Sequence, residues 1–163
     1  MINEEVQTAM NEQIKNELYS AYLYLAMSAH FESQNLPGFA RWMRAQAREE
    51  QTHALKFFDF LNERGGRVVL QAIDQPPVEF GSPFAVFEEV LAHEIKVTNL
   101  IHDLYALALG KSDYASQVFL QWFVSEQVEE EANATKIVEQ LRMVGDKPQG
   151  LLMLDHALGQ RGG

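Results

Sequence analysis

The sequence predicts an all-α fold: a four-helix bundle with a long crossover between helices two and three and a short fifth helix at the C-terminus. Three observations carry this. Helical periodicity runs through four stretches of nearly thirty residues each. Only five prolines interrupt 163 residues, and four of them fall between positions 76 and 148, which leaves long segments free of helix breakers. The breaks are short, long and short in turn, so each short link makes an antiparallel neighbour pair and the long one lets the second pair begin again at the other end. A chain of this length with 47% hydrophobic residues buries one full core, and a single domain over residues 1–163 is expected.

Helix one is predicted over residues 4 to 35, ended by the turn QNLPGF, in which Pro37 stands near the first position of helix two. Helix two should run to about Arg64. The segment GGRVVLQAIDQPPVEFGSP, 65 to 83, opens with two glycines and holds three prolines, so it reads as an extended connection. Helix three resumes after Ser82 and reaches about Leu109. Gly110, Ser112 and Asp113 then give a stop and restart, and helix four continues to Val144, where GDKP breaks it. LLMLDHALGQR forms the short fifth helix. The two helix pairs resemble each other in layout, but no internal sequence repeat is visible.

Composition narrows the chemistry. A formal net charge of −10 and a pI near 4.9 exclude general affinity for nucleic acid, which needs basic patches, and favour cations as partners. With no cysteine, disulfides and thiolate metal sites are impossible, so any metal must be held by carboxylate, imidazole or amide groups. The N-terminus, MINEEVQTAM, carries acids where an export signal carries positive charge. The longest apolar run, AYLYLAM, falls far short of membrane-spanning length. A cytoplasmic protein with no membrane partner is expected.

Alternating steps of three and four trace the inward seam of each helix. Helix one gives Val6, Met10, Gln13, Glu17, Ser20, Tyr24, Met27 and Phe31, and helix two gives Phe39, Met43, Gln46, Glu50, His53, Phe57 and Phe60. Helix three gives Phe84, Phe87, Leu91, Glu94, Thr98, Ile101 and Tyr105. Helix four gives Leu120, Phe123, Gln127, Glu130, Ala134, Ile137 and Leu141. Every seam is apolar toward its ends and acidic in the middle. Counting from the short turns places the acids level: Glu94 lies about 17 residues before position 111, and Gln127 and Glu130 lie about 16 and 19 after it.

A single glutamate on a seam is usually solvated, and a helical histidine beside phenylalanine is usually a satisfied core residue. Four seams turning acidic at one height is a different matter. Burying a lone carboxylate costs several kcal/mol, and four converging carboxylates repel one another unless something cationic sits among them. No Lys or Arg occupies these seams at that height, so bound divalent metal is the economical answer, with Glu50 and His53 pointing inward at i and i+3. Glu49, Glu126 and Glu129 form a further acidic cluster beside this level, though charge runs on helices are commonly just solvated faces. Tyr24 lies on the Glu17 seam as a hydrogen-bond donor, an electron donor or an ordinary core tyrosine. His30, His93, His102 and His156 have no evident partner.

The residues that carry this pattern are Glu17 in its YSAYLYL context, REEQTHA in helix two, Glu94, WFVSEQVEEE in helix four and LGQR near the end. Together they make the whole chain resemble a bacterial non-haem ferritin. The resemblance implies a ferroxidase and iron store. Glu17, Glu50 and His53 would hold one iron and Glu50, Glu94 and Glu130 the other, with Glu50 bridging and Gln127 close to the second. It further implies a third iron site from Glu49, Glu126, Glu129 and Glu130, with Tyr24 near the centre. Fe(II) with O2 or H2O2 as oxidant, and a cage of twenty-four identical subunits around ferric oxyhydroxide, also follow from it.

Sister families fit less well. The second Glu-x-x-His of bacterioferritins and rubrerythrin-type peroxidases is replaced here by Gln127, Val128, Glu129 and Glu130. Gln51 stands where bacterioferritins place a haem-ligating methionine, so no haem is expected. DNA-protecting miniferritins build their site between subunits, whereas here every ligand lies in one bundle. A di-iron enzyme that retains its metal and a passive metal buffer are the alternatives.

Overall fold

The computed structural model describes residues 1–161. Its five helices are α1 (Glu4–Ser33), α2 (Pro37–Glu63), α3 (Pro83–Gly110), α4 (Tyr114–Val144) and α5 (Pro148–Leu158). The all-α expectation therefore holds, with helix ends shifted by small amounts. α1 stops two residues early, because Asn35 adopts a left-handed φ of 59° that no helix continues through. α5 starts earlier than the apolar run suggested, since Pro148 takes the first helical position, where its missing N–H costs nothing.

Three helix starts are capped by their own sequence. The Asn3 side chain accepts from the amides of Glu5 and Val6, Ser82 accepts from Ala85, and Asp113 accepts from Ser116. α2 has no such residue, for its N-cap is Leu36. The carboxylate of Asp155, from α5, accepts from the buried amide of Phe39 at 2.9 Å in its place. Gly38 makes that approach possible, as a Cβ there would lie 1.7 Å from the Asp155 carbonyl oxygen.

α1 packs on α2 and α3 on α4, while α5 lies across α2 and α4. The long connection follows α1 from one end to the other. Gln7 and Asn11 hold its start through Arg67 and Val69, and His30 meets the Gly81 carbonyl at its finish. This is the full-length crossover that brings α3 back to the end where α1 finished.

The core comes in two apolar blocks. One contains Met27, Phe31, Phe39, Met43 and Phe87, and the other Val6, Met10, Phe57, Leu120 and Phe123. Between them lies a buried polar level with Gln13, Glu17, Gln46, Glu50, His53, Glu94, Gln127 and Glu130. The seams of α1 and α4 face inward as expected. In α2, Leu61 is buried and Phe60 only half-buried. α3 is rotated slightly: Phe84, Leu91, Thr98 and Tyr105 are half-buried, and Val90, Val97 and Leu104 take the inward places. Apolar residues flank that seam on both sides, so spacing alone did not select between them.

Candidate metal centre

Four helices each send one carboxylate into the polar level: Glu17 from α1, Glu50 from α2, Glu94 from α3 and Glu130 from α4. All four are buried, and His53 is buried with them. Within this polar level, two sets of side chains approach closely enough to share a cation. Within Glu17, Glu50 and His53, and again within Glu50, Glu94 and Glu130, ligand atoms lie within 4.8 Å of one another. Glu50 belongs to both sets. His53 turns Nδ1 toward Glu50 at 3.1 Å and toward Glu17 at 3.9 Å.

Neutral donors hold the carboxylates. Gln13 donates to Glu17 at 3.0 Å, one turn away on the same helix. Gln46 donates from one amide to both Glu50 and Glu130, at 2.9 Å each, and so ties α2 to α4. Gln127 donates to Glu94 at 3.1 Å and to its main-chain carbonyl at 3.2 Å. The Tyr24 hydroxyl donates to the other Glu94 oxygen. Tyr24 is fully buried and meets His93 edge-on, with ring centres 5.8 Å apart.

Among the described residues, no Lys or Arg forms an ion pair with Glu17, Glu50, Glu94 or Glu130. The Lys56 ammonium sits 3.7 Å from the centre of the Trp122 ring, which itself packs edge-on against His53. Charge is therefore left uncompensated. Burial, and then the charge of Glu50, push the Glu17 carboxyl well above the usual range. Burial and repulsion from Glu94 raise Glu50 likewise and carry Glu130 up to about 8. Burial also raises Glu94, against the pull of its bonds from Tyr24 and Gln127. Burial and the nearby carboxylates raise the Tyr24 phenol as well, so it remains protonated and able to donate.

Without metal, such a site keeps protons on buried acids. One Glu17 oxygen, Oε2, is buried with no donor within hydrogen-bond distance. An orphaned acceptor between another carboxylate and an imidazole suits a divalent cation, as does a donor set of hard oxygens with one nitrogen.

The outer acidic cluster is arranged differently. Glu126, Glu129, Glu130 and Glu49 line one hollow of about 630 Å3 between α2, α4 and α5. The close set there is His53, Glu126 and Glu130, with His53 Nε2 at 3.8 Å from Glu126. Glu129 is exposed, and Glu49 pairs with Arg161 at 3.0 Å. Neither joins that close set.

Several contributors escaped sequence reasoning. Gln13 and Gln46 stood on the predicted seams, each four residues before an inward glutamate, and that spacing was the available sign of their role. His93 gave no sign, since its partner Ser20, at 2.7 Å, lies 73 residues away. Burial, and then the charge of Lys96, hold the His93 ring down to about 4. His30 bonds the connection, whereas His102 and His156 are exposed.

Known proteins match this chain in sequence and in backbone. Residues 7–144 match the family of the ferritin-like domain. A bacterial non-heme ferritin of Bacteroides fragilis is 45% identical over 161 residues, covering 99% of this chain and 100% of its own length. That of Staphylococcus saprophyticus is 39% identical, covering 99% and 96%. An open-pore ferritin from the hyperthermophilic archaeon Archaeoglobus fulgidus superposes with a TM-score of 0.99 at 52% identity, covering 99% of this chain and 100% of that one. Likeness of that extent, in sequence as well as in shape, leaves one assignment: the chain belongs to the ferritin family.

Proposed function

We propose that the protein is an iron-storage ferroxidase, one domain over residues 1–163, that oxidises Fe(II) at the bundle centre and deposits ferric oxyhydroxide inside a cytoplasmic cage of twenty-four copies. The single observation that carries this reading is the convergence of carboxylates from four helices with no cationic side chain among them. Iron is the substrate. Glu17, Glu50 and His53 receive one Fe(II), and Glu50, Glu94 and Glu130 receive the second, with Glu50 shared between them. Gln127 and Tyr24 orient Glu94. Glu126, Glu129, Glu130 and Glu49 offer a third, outer position on the way to the store.

Each Fe(II) gives up one electron. The pair of electrons, with two protons, converts O2 to H2O2 or H2O2 to two waters. Carboxylate oxygens favour the more highly charged Fe(III) product over Fe(II). One imidazole among so many oxygens holds ferric iron loosely enough for it to move on, which suits storage better than a resident cofactor. The absence of a second Glu-x-x-His and the presence of Gln51 support a haem-free protein of this kind.

Anaerobic addition of Fe(II) to the assembled protein, followed by air, tests the reading. Rapid oxidation and continued uptake far beyond two irons per chain are expected. Uptake that stops near two per chain would indicate a retained di-iron enzyme, and oxidation no faster than in buffer a passive module. The double variant Glu50→Ala with His53→Ala should lose fast oxidation yet keep its fold and assembly, because it removes repulsion along with ligands. Oxidation at the parental rate in that variant would show that the site has been misplaced.

A further inference from the structure

We infer that Arg161 acts as a tethered cation that competes with iron for Glu49, and so sets the affinity of the outer position. The inference rests on the reading of the bundle centre as an iron-oxidation site, and it concerns how the outer hollow is regulated.

The hollow has two unlike walls. Glu126, Glu129 and Glu130 of α4 supply one, and the segment after α5 brings Arg161 against the other. Arg161 Nη2 lies 3.0 Å from Glu49 Oε1. The same guanidinium stacks over Trp42 at 4.6 Å from the ring centre and donates to the Trp42 carbonyl at 3.4 Å. Arg41 meanwhile grips the Gly159 carbonyl at 3.1 Å, and Asp155 is fixed to the start of α2. The charge is thus delivered by an anchored element and seated on an aromatic face.

The guanidinium charge 3.0 Å from Glu49 Oε1 opposes a cation that approaches the same carboxylate. A cation that recruits Glu49 does so against that charge and in competition with the ion pair, which re-forms when the cation leaves. The outer position is then weaker than the inner two, and an ion departing the centre crosses it without being trapped. Glu49 is about half exposed, with a side-chain exposure of 47%, so the ion pair is a modest competitor. Exposed pairs of this kind correspond to roughly a two- to fivefold change in affinity.

Zn(II), which does not change oxidation state, is the probe. It is titrated calorimetrically into the assembled, metal-stripped full chain. The parent should bind three Zn(II) per chain. Arg161→Gln should tighten the weakest of these about two- to fivefold and leave the other two alone, while Arg161→Lys keeps the parental value. In a Glu49→Gln background, adding Arg161→Gln should change nothing. A parental weakest step in Arg161→Gln overturns the inference. So does a tightening that persists undiminished without Glu49, or a parent that binds only two ions. Glu50→Ala serves as the separate control: if it left the tight steps unaltered, the reading of the centre would fall, while the Arg161 comparison would still decide this inference.

Discussion

At the scale of single residues, the centre depends on neutral donors as much as on acids. Gln46 is the informative one, because its one amide reaches the carboxylates of two helices at once. Removing it leaves Glu130 without its side-chain donor and takes one donor from Glu50. A hydrogen bond to a charged group contributes about 1.5–3 kcal/mol. Gln46→Leu should therefore weaken the second of the two inner cations by about tenfold or more, and it should alter the visible absorption of bound Co(II) as Glu130 loses its orientation. Parental Co(II) affinity and spectrum would show that Gln46 positions nothing. The four glutamates and His53 were legible in the sequence because helical periodicity alone decides which way they point. Gln46 was legible as an inward residue only. Its role depends on the distance between α2 and α4, and no one-dimensional spacing encodes that distance.

Among elements, α5 matters more than its eleven residues suggest. It supplies the cap that α2 lacks, through Asp155, and passes so close that Gly38 must have no side chain. Gly38→Ala forces a methyl group against the Asp155 main chain, and overpacking of this kind costs about 1–3 kcal/mol. Asp155→Ala leaves the Phe39 amide buried without its acceptor, at a cost of about 1 kcal/mol. Both variants should melt lower and release the C-terminal segment to protease before the bundle unfolds. A protease-resistant C-terminus in Gly38→Ala would show that α5 docks in some other way. The four long helices were readable from their period, turns and caps, which are local signals. The rotation of α3 was not, because Leu91 and Val90, or Tyr105 and Leu104, are equally apolar and only packing chooses between them. The docking of α5 was also hidden, since a lone Asp in LLMLDHALGQR gives no hint of a partner 116 residues away.

For the molecule as a whole, the divided core makes stability depend on pH and metal together. Glu130 keeps a proton in the folded state up to about 8, against an ordinary 4.5. Between those values the folded chain holds a proton that the unfolded chain has released, so rising pH favours unfolding. This slope is about 1.4 kcal/mol per pH unit for each proton retained. His93 acts in the opposite sense but only lower down, between its ordinary 6.5 and about 4. The metal-free protein should thus melt progressively lower as pH rises from about 6.5 to 8. Zn(II) should abolish that fall by replacing the protons. A melting temperature that stays flat across this window without metal would mean that the carboxylates are not held protonated. Assembly into a cage is checked by sedimentation, which should give a mass near twenty-four chains. The most direct test of the central claim is a crystal of this protein soaked anaerobically in Fe(II) and measured at the iron absorption edge. Two anomalous peaks inside each bundle, one bonded to Glu17, Glu50 and His53 and the other to Glu50, Glu94 and Glu130, are predicted. Iron found only on the surface, with the central carboxylates bonded to none, would contradict the account.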